Sequence, residues 1–228
     1  MSATPKLVVF DCDGTLVDSA GVIAACMTDA FAAVGAPAPS RADVRAVIGL
    51  SLEAACARTL RAVGAHGVDA HAAADAYRQA FRGRREANGV EEPLFDGVAE
   101  VIADLDAAGA VLAVATGKST RGLEATLSAH GLRDRFVATQ TSDDAPGKPA
   151  PDMLLNLSRM LGIDVGDMLM IGDTTFDMGM ARAARVRSLG VAWGYHAPDE
   201  LTKAGAVAIV DDAVALHRAV DGWMSGGG

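Results

Sequence analysis

The chain has 228 residues, half of them hydrophobic and 4% aromatic, with a formal net charge of -9. That length holds one large domain, or a core domain plus a smaller one, and an alanine-rich, aromatic-poor composition suits helices packed on a sheet better than an all-β barrel. The acidic balance argues against a nucleic-acid backbone as partner, which needs clustered Lys and Arg, but leaves room for a small phosphorylated ligand held by a few local cations.

The opening stretch, KLVVFDCDGTLVDS from Lys6 to Ser19, sets a short apolar run before two carboxylates, Asp11 and Asp13, with a third, Asp18, further on. The run reads as a buried strand. Residues 19–34, 41–49, 51–64 and 69 to about 88 read as helices, with Ser19, Ser40 and Ser51 as candidate N-caps. No strand pattern interrupts them. After Pro93 the chain alternates: a helix at 97–108, a strand at 111–116, a helix at 119–130, a strand at 136–140, a helix at 152–161, a strand at 167–173 and a helix at 175–185. A strand at 188–193, a short helix at 198–204, a strand at 206–210 and a helix at 212–222 complete it, and the SGGG end reads as a frayed tail. Such alternation predicts an α/β fold, a Rossmann-like parallel sheet covered on both faces. The core comprises 1–18 and 89–228, and the all-helical block at 19–88 is a cap domain inserted over the strand ends.

Three cysteines, Cys12, Cys26 and Cys56, lack metal-type spacing and read as reduced thiols of a cytoplasmic protein. No signal peptide is evident, and no apolar run reaches the roughly 18 residues of a membrane span. Cys12 alternates in direction with Asp11 and reads as a packed thiol. The five histidines are scattered and read as structural, and Arg78, Arg82, Arg84 and Arg85 read as a solvated helix face.

In a parallel sheet, ligands bind off the carboxyl ends of the strands. Asp11, Asp13, Thr116 and Asp173 all fall there, with Asp177 four residues beyond Asp173. Lys148, from the loop APGKPAP, is the one basic group expected to join them. Clustered carboxylates suit a hard divalent cation, and Mg²⁺ accepts one or two of them plus substrate phosphate oxygens. One carboxylate is then placed to attack phosphorus, and a second to protonate the leaving oxygen and later activate water. Thr116 and nearby backbone N–H groups suit the phosphoryl oxygens.

DCDGTLVDS, ATGKS, GKPAP and GDTTFDM resemble, in order and spacing, the four motifs of the haloacid dehalogenase superfamily, over residues 6 to about 193. The tail GVAWGYHAPDEL is similar to its phosphoglycolate phosphatase-like branch. The resemblance implies Asp11 as nucleophile and Asp13 as general acid/base. It implies Asp11, Asp173 and the Asp13 backbone carbonyl as Mg²⁺ ligands, with Asp177 a metal contact from outside that set or through water. Thr116, Gly117 and Lys148 would bind the phosphoryl group, Asp18-Ser19 would mark the hinge into the cap, and the loop Gly49-Leu50-Ser51 would reach in as a specificity element. The function implied is a Mg²⁺-dependent phosphomonoester hydrolase acting on a small phosphorylated metabolite, as a monomer or homodimer. Dehalogenating members lack the acid/base aspartate, and phosphonate-cleaving members need a cap lysine, absent between Lys6 and Lys118. A sugar phosphomutase stays open as an alternative. A non-catalytic phosphometabolite-binding protein is the alternative from another class.

Overall fold

The computed structural model describes residues 5–87 and 90–226, so the expected domain junction at 88/89 and the last two residues of the expected tail lie outside the described residues. Six parallel strands form one sheet: β1 (Leu7–Phe10), β2 (Val111–Ala115), β3 (Ala138–Gln140), β4 (Met168–Gly172), β5 (Arg187–Val191) and β6 (Ala208–Val210). Their order is β3-β2-β1-β4-β5-β6. The chain winds outward in both directions from β1, so the topological switch point, where such sheets bind ligands, lies beside β1. Phe10 is in register with Val114 of β2 and Ile171 of β4. Asp11, Thr116 and Asp173 therefore leave three adjacent strands at one edge.

Alternation along the strands makes two cores. Val8, Phe10, Leu112, Val114 and Ile171 face one way, onto α5 (Val98–Ala107), α6 (Thr120–Ala129) and α10 (Ala213–Met224). Leu7, Val9, Ala113, Ala115 and Met170 face the other, onto α7 (Asp152–Leu161) and α8 (Thr175–Ala184). Both faces are covered, which is why these strands read as continuous apolar runs.

Helices α1 (Ala20–Ala33), α2 (Arg41–Arg45), α3 (Leu52–Ala62) and α4 (Ala70–Glu86) pack around a separate core that includes Met27, Phe31, Val44, Cys56 and Leu60. The chain enters and leaves this block along paired segments: Asp18 N–H donates to the Pro93 carbonyl at 2.8 Å, and Phe95 N–H to that of Leu16 at 3.0 Å.

Several elements are shorter than their apolar patterns predict. Phe136 lies outside β3, directly after the helical turn at Arg133–Arg135, and its ring packs edge-on against Phe10 with centroids 6.2 Å apart. Trp193 leaves β5 so that its indole N–H can donate to the Thr15 carbonyl at 3.2 Å. The helix expected at 41–49 stops at Arg45. Ser40 caps it through a reciprocal box with Asp43, whereas Ser19 and Ser51 make no side-chain cap bond.

Candidate active site

Asp11 follows β1 and is fully buried, as is the side chain of Lys148. The Lys148 ammonium lies 2.8 Å from Asp11 Oδ1 and 2.6 Å from Asp177 Oδ1. Asp177 is placed by its own helix end. Its Oδ2 accepts from Thr174 N–H at 3.0 Å and from the Thr174 hydroxyl at 2.6 Å, a capping box at the start of α8. One oxygen thus serves the helix and the other serves Lys148. Gly172 is required here, because a Cβ at that position would collide with the Asp177 side chain.

Asp173, at the end of β4, completes a buried trio of carboxylates with Asp11 and Asp177 whose oxygens all lie within 4.8 Å of one another. Thr15 donates to its Oδ1 and the Tyr195 N–H to its Oδ2, each at 2.9 Å. Gly14 and Gly194 close over Asp173 so tightly that a Cβ on either would strike it.

Three carboxylates face one ammonium, which leaves an uncompensated negative charge in a low-dielectric site. Burial pushes the Asp11 carboxyl up to about 7 against the pull of Lys148, with Asp177 adding to the rise. Burial also raises Asp173, helped by Asp177 and Asp11. Burial opposes the Lys148 ammonium, yet Asp11 and Asp177 overcome it and hold that group above its ordinary value. Asp11 Oδ1 is ion-paired with Lys148 and accepts from the Cys12 N–H, while Oδ2 is buried with no hydrogen-bond partner among the described residues. An orphaned oxygen in an over-negative all-oxygen pocket fits a hard divalent cation.

Asp13 stands apart. Its carboxylate accepts from the Ser19 hydroxyl at 2.6 Å and pairs with Lys118. Lys118 also lies 2.8 Å from Glu92, a buried carboxylate that accepts from the Thr126 hydroxyl at 2.8 Å. The expectation that Lys148 is the one cation here is therefore corrected: two lysines serve the site, one for each aspartate of the Asp-x-Asp pair. Two cues pointed to Lys118, its position two residues after Thr116 and the scarcity of lysine; nothing local marked Glu92. The loop holding Tyr195 was missed as well. Its hydroxyl accepts from Ser19 N–H at 2.9 Å and lies 3.3 Å from Asp18 Oδ1, tying Asp173's neighbour to the segment entering α1. Cys12 packs into the core face shared by Val8 and Phe10, and burial pushes its thiol pKa up.

Thr116 is buried at the end of β2, and its Oγ1 accepts from Lys118 N–H at 3.2 Å. Gly117 lies directly under the loop between α2 and α3: a Cβ there would sit 2.7 Å from the Gly49 carbonyl oxygen. Ser51 sits against Gly147 of the lysine loop. A cavity of about 450 Å³ opens from Asp13, Gly117 and Lys118 toward α4, where Tyr77, Phe81, Arg82 and Arg85 line it. The arginine face is thus only partly solvated scenery. Arg78 pairs with Glu53 and Asp75 and Arg84 with Asp29, but Arg82 and Arg85 look onto the cavity.

A switch-point cleft in a parallel sheet, lined by buried carboxylates and lysines, is the site of a Rossmann-like α/β protein suited to a cation and a phosphoryl group. The sequence profile of the haloacid dehalogenase-like hydrolases matches residues 8–191, and the chain belongs to that family. It is similar to the probable phosphatase IndB of Dickeya dadantii, 40% identical over 90% of this chain and 89% of that protein. A phosphoglycolate phosphatase of Vibrio cholerae is 31% identical over 94% of this chain and 96% of its own length. The crystal structure of a predicted phosphoglycolate phosphatase from Haemophilus somnus shares the fold, with a TM-score of 0.83, 24% identity and coverage of 96% and 100%. The chain is a phosphatase of this family, a phosphoric monoester hydrolase. Among the described residues, no helix is long and apolar enough to cross a membrane.

Proposed function

We propose that this phosphatase works through an aspartyl-phosphate on Asp11, with Mg²⁺ as its metal and a small phosphorylated metabolite as its substrate. The observation that supports this most is Lys148 lying between Asp11 and Asp177, beside an Asp11 oxygen with no partner. Asp11, Asp173, Asp177 and the Asp13 backbone carbonyl are the groups that would hold the cation. When bound, it supplies Lewis-acid neutralisation of phosphoryl oxygens.

Asp11 attacks phosphorus, the bond to the ester oxygen breaks, and Asp13 gives that oxygen a proton. Asp13 then takes a proton from water, which attacks the same phosphorus and restores the Asp11 carboxylate. Lys148, Thr116 and the Gly117 N–H hold the phosphoryl oxygens. Helices α1–α4, with Ser51 and its loop, act as a cap that excludes water in the first half and admits it in the second.

Phosphate release from a panel of metabolite esters, with and without Mg²⁺, tests the proposal. Release that needs Mg²⁺ and is lost in Asp11→Asn is expected. Normal turnover in that variant would remove the covalent step. Isomerised sugar phosphate without net phosphate, given a bisphosphate activator, would replace hydrolysis with a phosphomutase reaction.

A further inference from the structure

We infer that the ester accepted here carries an apolar, ring-sized body and a second anionic group, and that Arg82, Arg85 and Arg121 receive that anion. The inference rests on the phosphatase reading above and adds the class of substrate to it.

Size is the first argument. A cavity of about 450 Å³ falls in the range of roughly 300–1,000 Å³ that encloses drug-sized ligands. A two-carbon phosphorylated acid fills only a fraction of it. The lining is the second. Tyr77 and Phe81, one turn apart on α4, stack with centroids 6.1 Å apart and planes 21° from parallel. Met27 and Ile48 extend the apolar surface. Such walls select a flat or apolar body.

Charge is the third argument. The chain is strongly acidic, yet arginines converge on this cavity from both sides, Arg82 and Arg85 from α4 and Arg121 from α6. Arg78 is neutralised by Glu53 and Asp75. Among the described residues, no carboxylate pairs with Arg82, Arg85 or Arg121. The Arg85 guanidinium lies 5.2 Å from the centre of the Phe81 ring, which braces it beside the aromatic wall. Of the acidic residues on the lining, Asp13 is held by Lys118, Glu53 by Arg78, and Asp143 accepts the Thr120 N–H at 2.9 Å. The cavity is left with planar guanidinium forks of the kind that grip carboxylate or phosphate through two bonds.

The test measures binding by calorimetry in the presence of Mg²⁺. The ligands are phenylphosphonate, 4-carboxyphenylphosphonate and 4-(carboxymethyl)phenylphosphonate. Phosphonates are not turned over, so their affinities report the cavity, while phosphate release from phenyl phosphate reports the phosphatase reading separately. At least one carboxylated ligand should bind about tenfold tighter than phenylphosphonate, as one charge-assisted contact implies. In the Arg82→Gln/Arg85→Gln double variant that advantage should shrink to about twofold or less. Equal affinities in the wild type, no binding of any of the three, or an advantage that survives both the double variant and Arg121→Gln would overturn the inference.

Discussion

Lys118 forms an ion pair with Asp13 in which the lysine side chain is 10% exposed and the aspartate 11%. Asp11, two residues earlier, is paired instead with Lys148. Adjacent carboxylates on one loop are thus held apart by separate cations reaching in from separate loops. That division gives the two aspartates different surroundings: Asp11 is sealed among carboxylates, while Asp13 faces the large cavity.

Replacing Lys118 with Met should leave both Asp13 and Glu92 buried without their cation. Breaking a buried pair from one side costs about 3–5 kcal/mol. A urea denaturation series should show that loss, alongside weaker phosphate release. An unshifted midpoint would mean that water replaces the ammonium without cost.

Lys148→Ala removes the only cation touching Asp11 and Asp177 among the described residues. Turnover should fall by roughly 10²–10³-fold, the usual cost of losing one preorganised group at a reacting oxyanion. Steady-state kinetics at saturating Mg²⁺ would measure it, and a wild-type rate would remove Lys148 from the phosphoryl site.

Gly117→Ala places a methyl group against the Gly49 and Leu50 carbonyls. The loop between α2 and α3 must shift to admit it. We expect KM to rise while the far-ultraviolet dichroism stays unchanged, since the collision lies at the cleft and not in either core. Unaltered KM and kcat would show the loop free to move at no cost.

The metal-free protein should lose stability as pH rises. Asp11 has an ordinary value of 3.8, raised by burial to about 7 in the fold. Between those values the folded state binds more protons than the unfolded one, so stability falls with increasing pH across that window. The rise at Asp173 has the same sign. Thermal unfolding in EDTA should give a higher midpoint near pH 5 than near pH 7.5, and Mg²⁺ should restore the difference at the higher pH. A midpoint that climbs with pH in EDTA would contradict it.

The strand-end pattern was legible because buried parallel strands are continuous apolar runs, and the residues after them, Asp11, Thr116 and Asp173, meet at one edge. Asp177 suited both a helix start and a role beside the metal; in the fold one of its oxygens caps α8 and the other meets Lys148. Glu92 and Tyr195 were not legible as partners, and Lys118 was marked only by its place after Thr116, because their pairing joins segments far apart in sequence and no local period reports it. Ser19 had the residue type and position of an N-cap, but its hydroxyl is turned to donate to Asp13 and accepts from no N–H of the helix. The arginines of α4 had one helical period and two fates. Only the placement of Asp29, Glu53 and Asp75 shows which are neutralised.

The central claim is that Asp11 becomes phosphorylated. Rapid quenching during turnover of an accepted ester, followed by borohydride, converts an aspartyl phosphate to homoserine, which peptide mass spectrometry locates. Homoserine at position 11, absent without substrate, is the predicted result. Unmodified Asp11 in samples that have released phosphate, or homoserine at Asp13, Asp173 or Asp177 instead, would contradict the account.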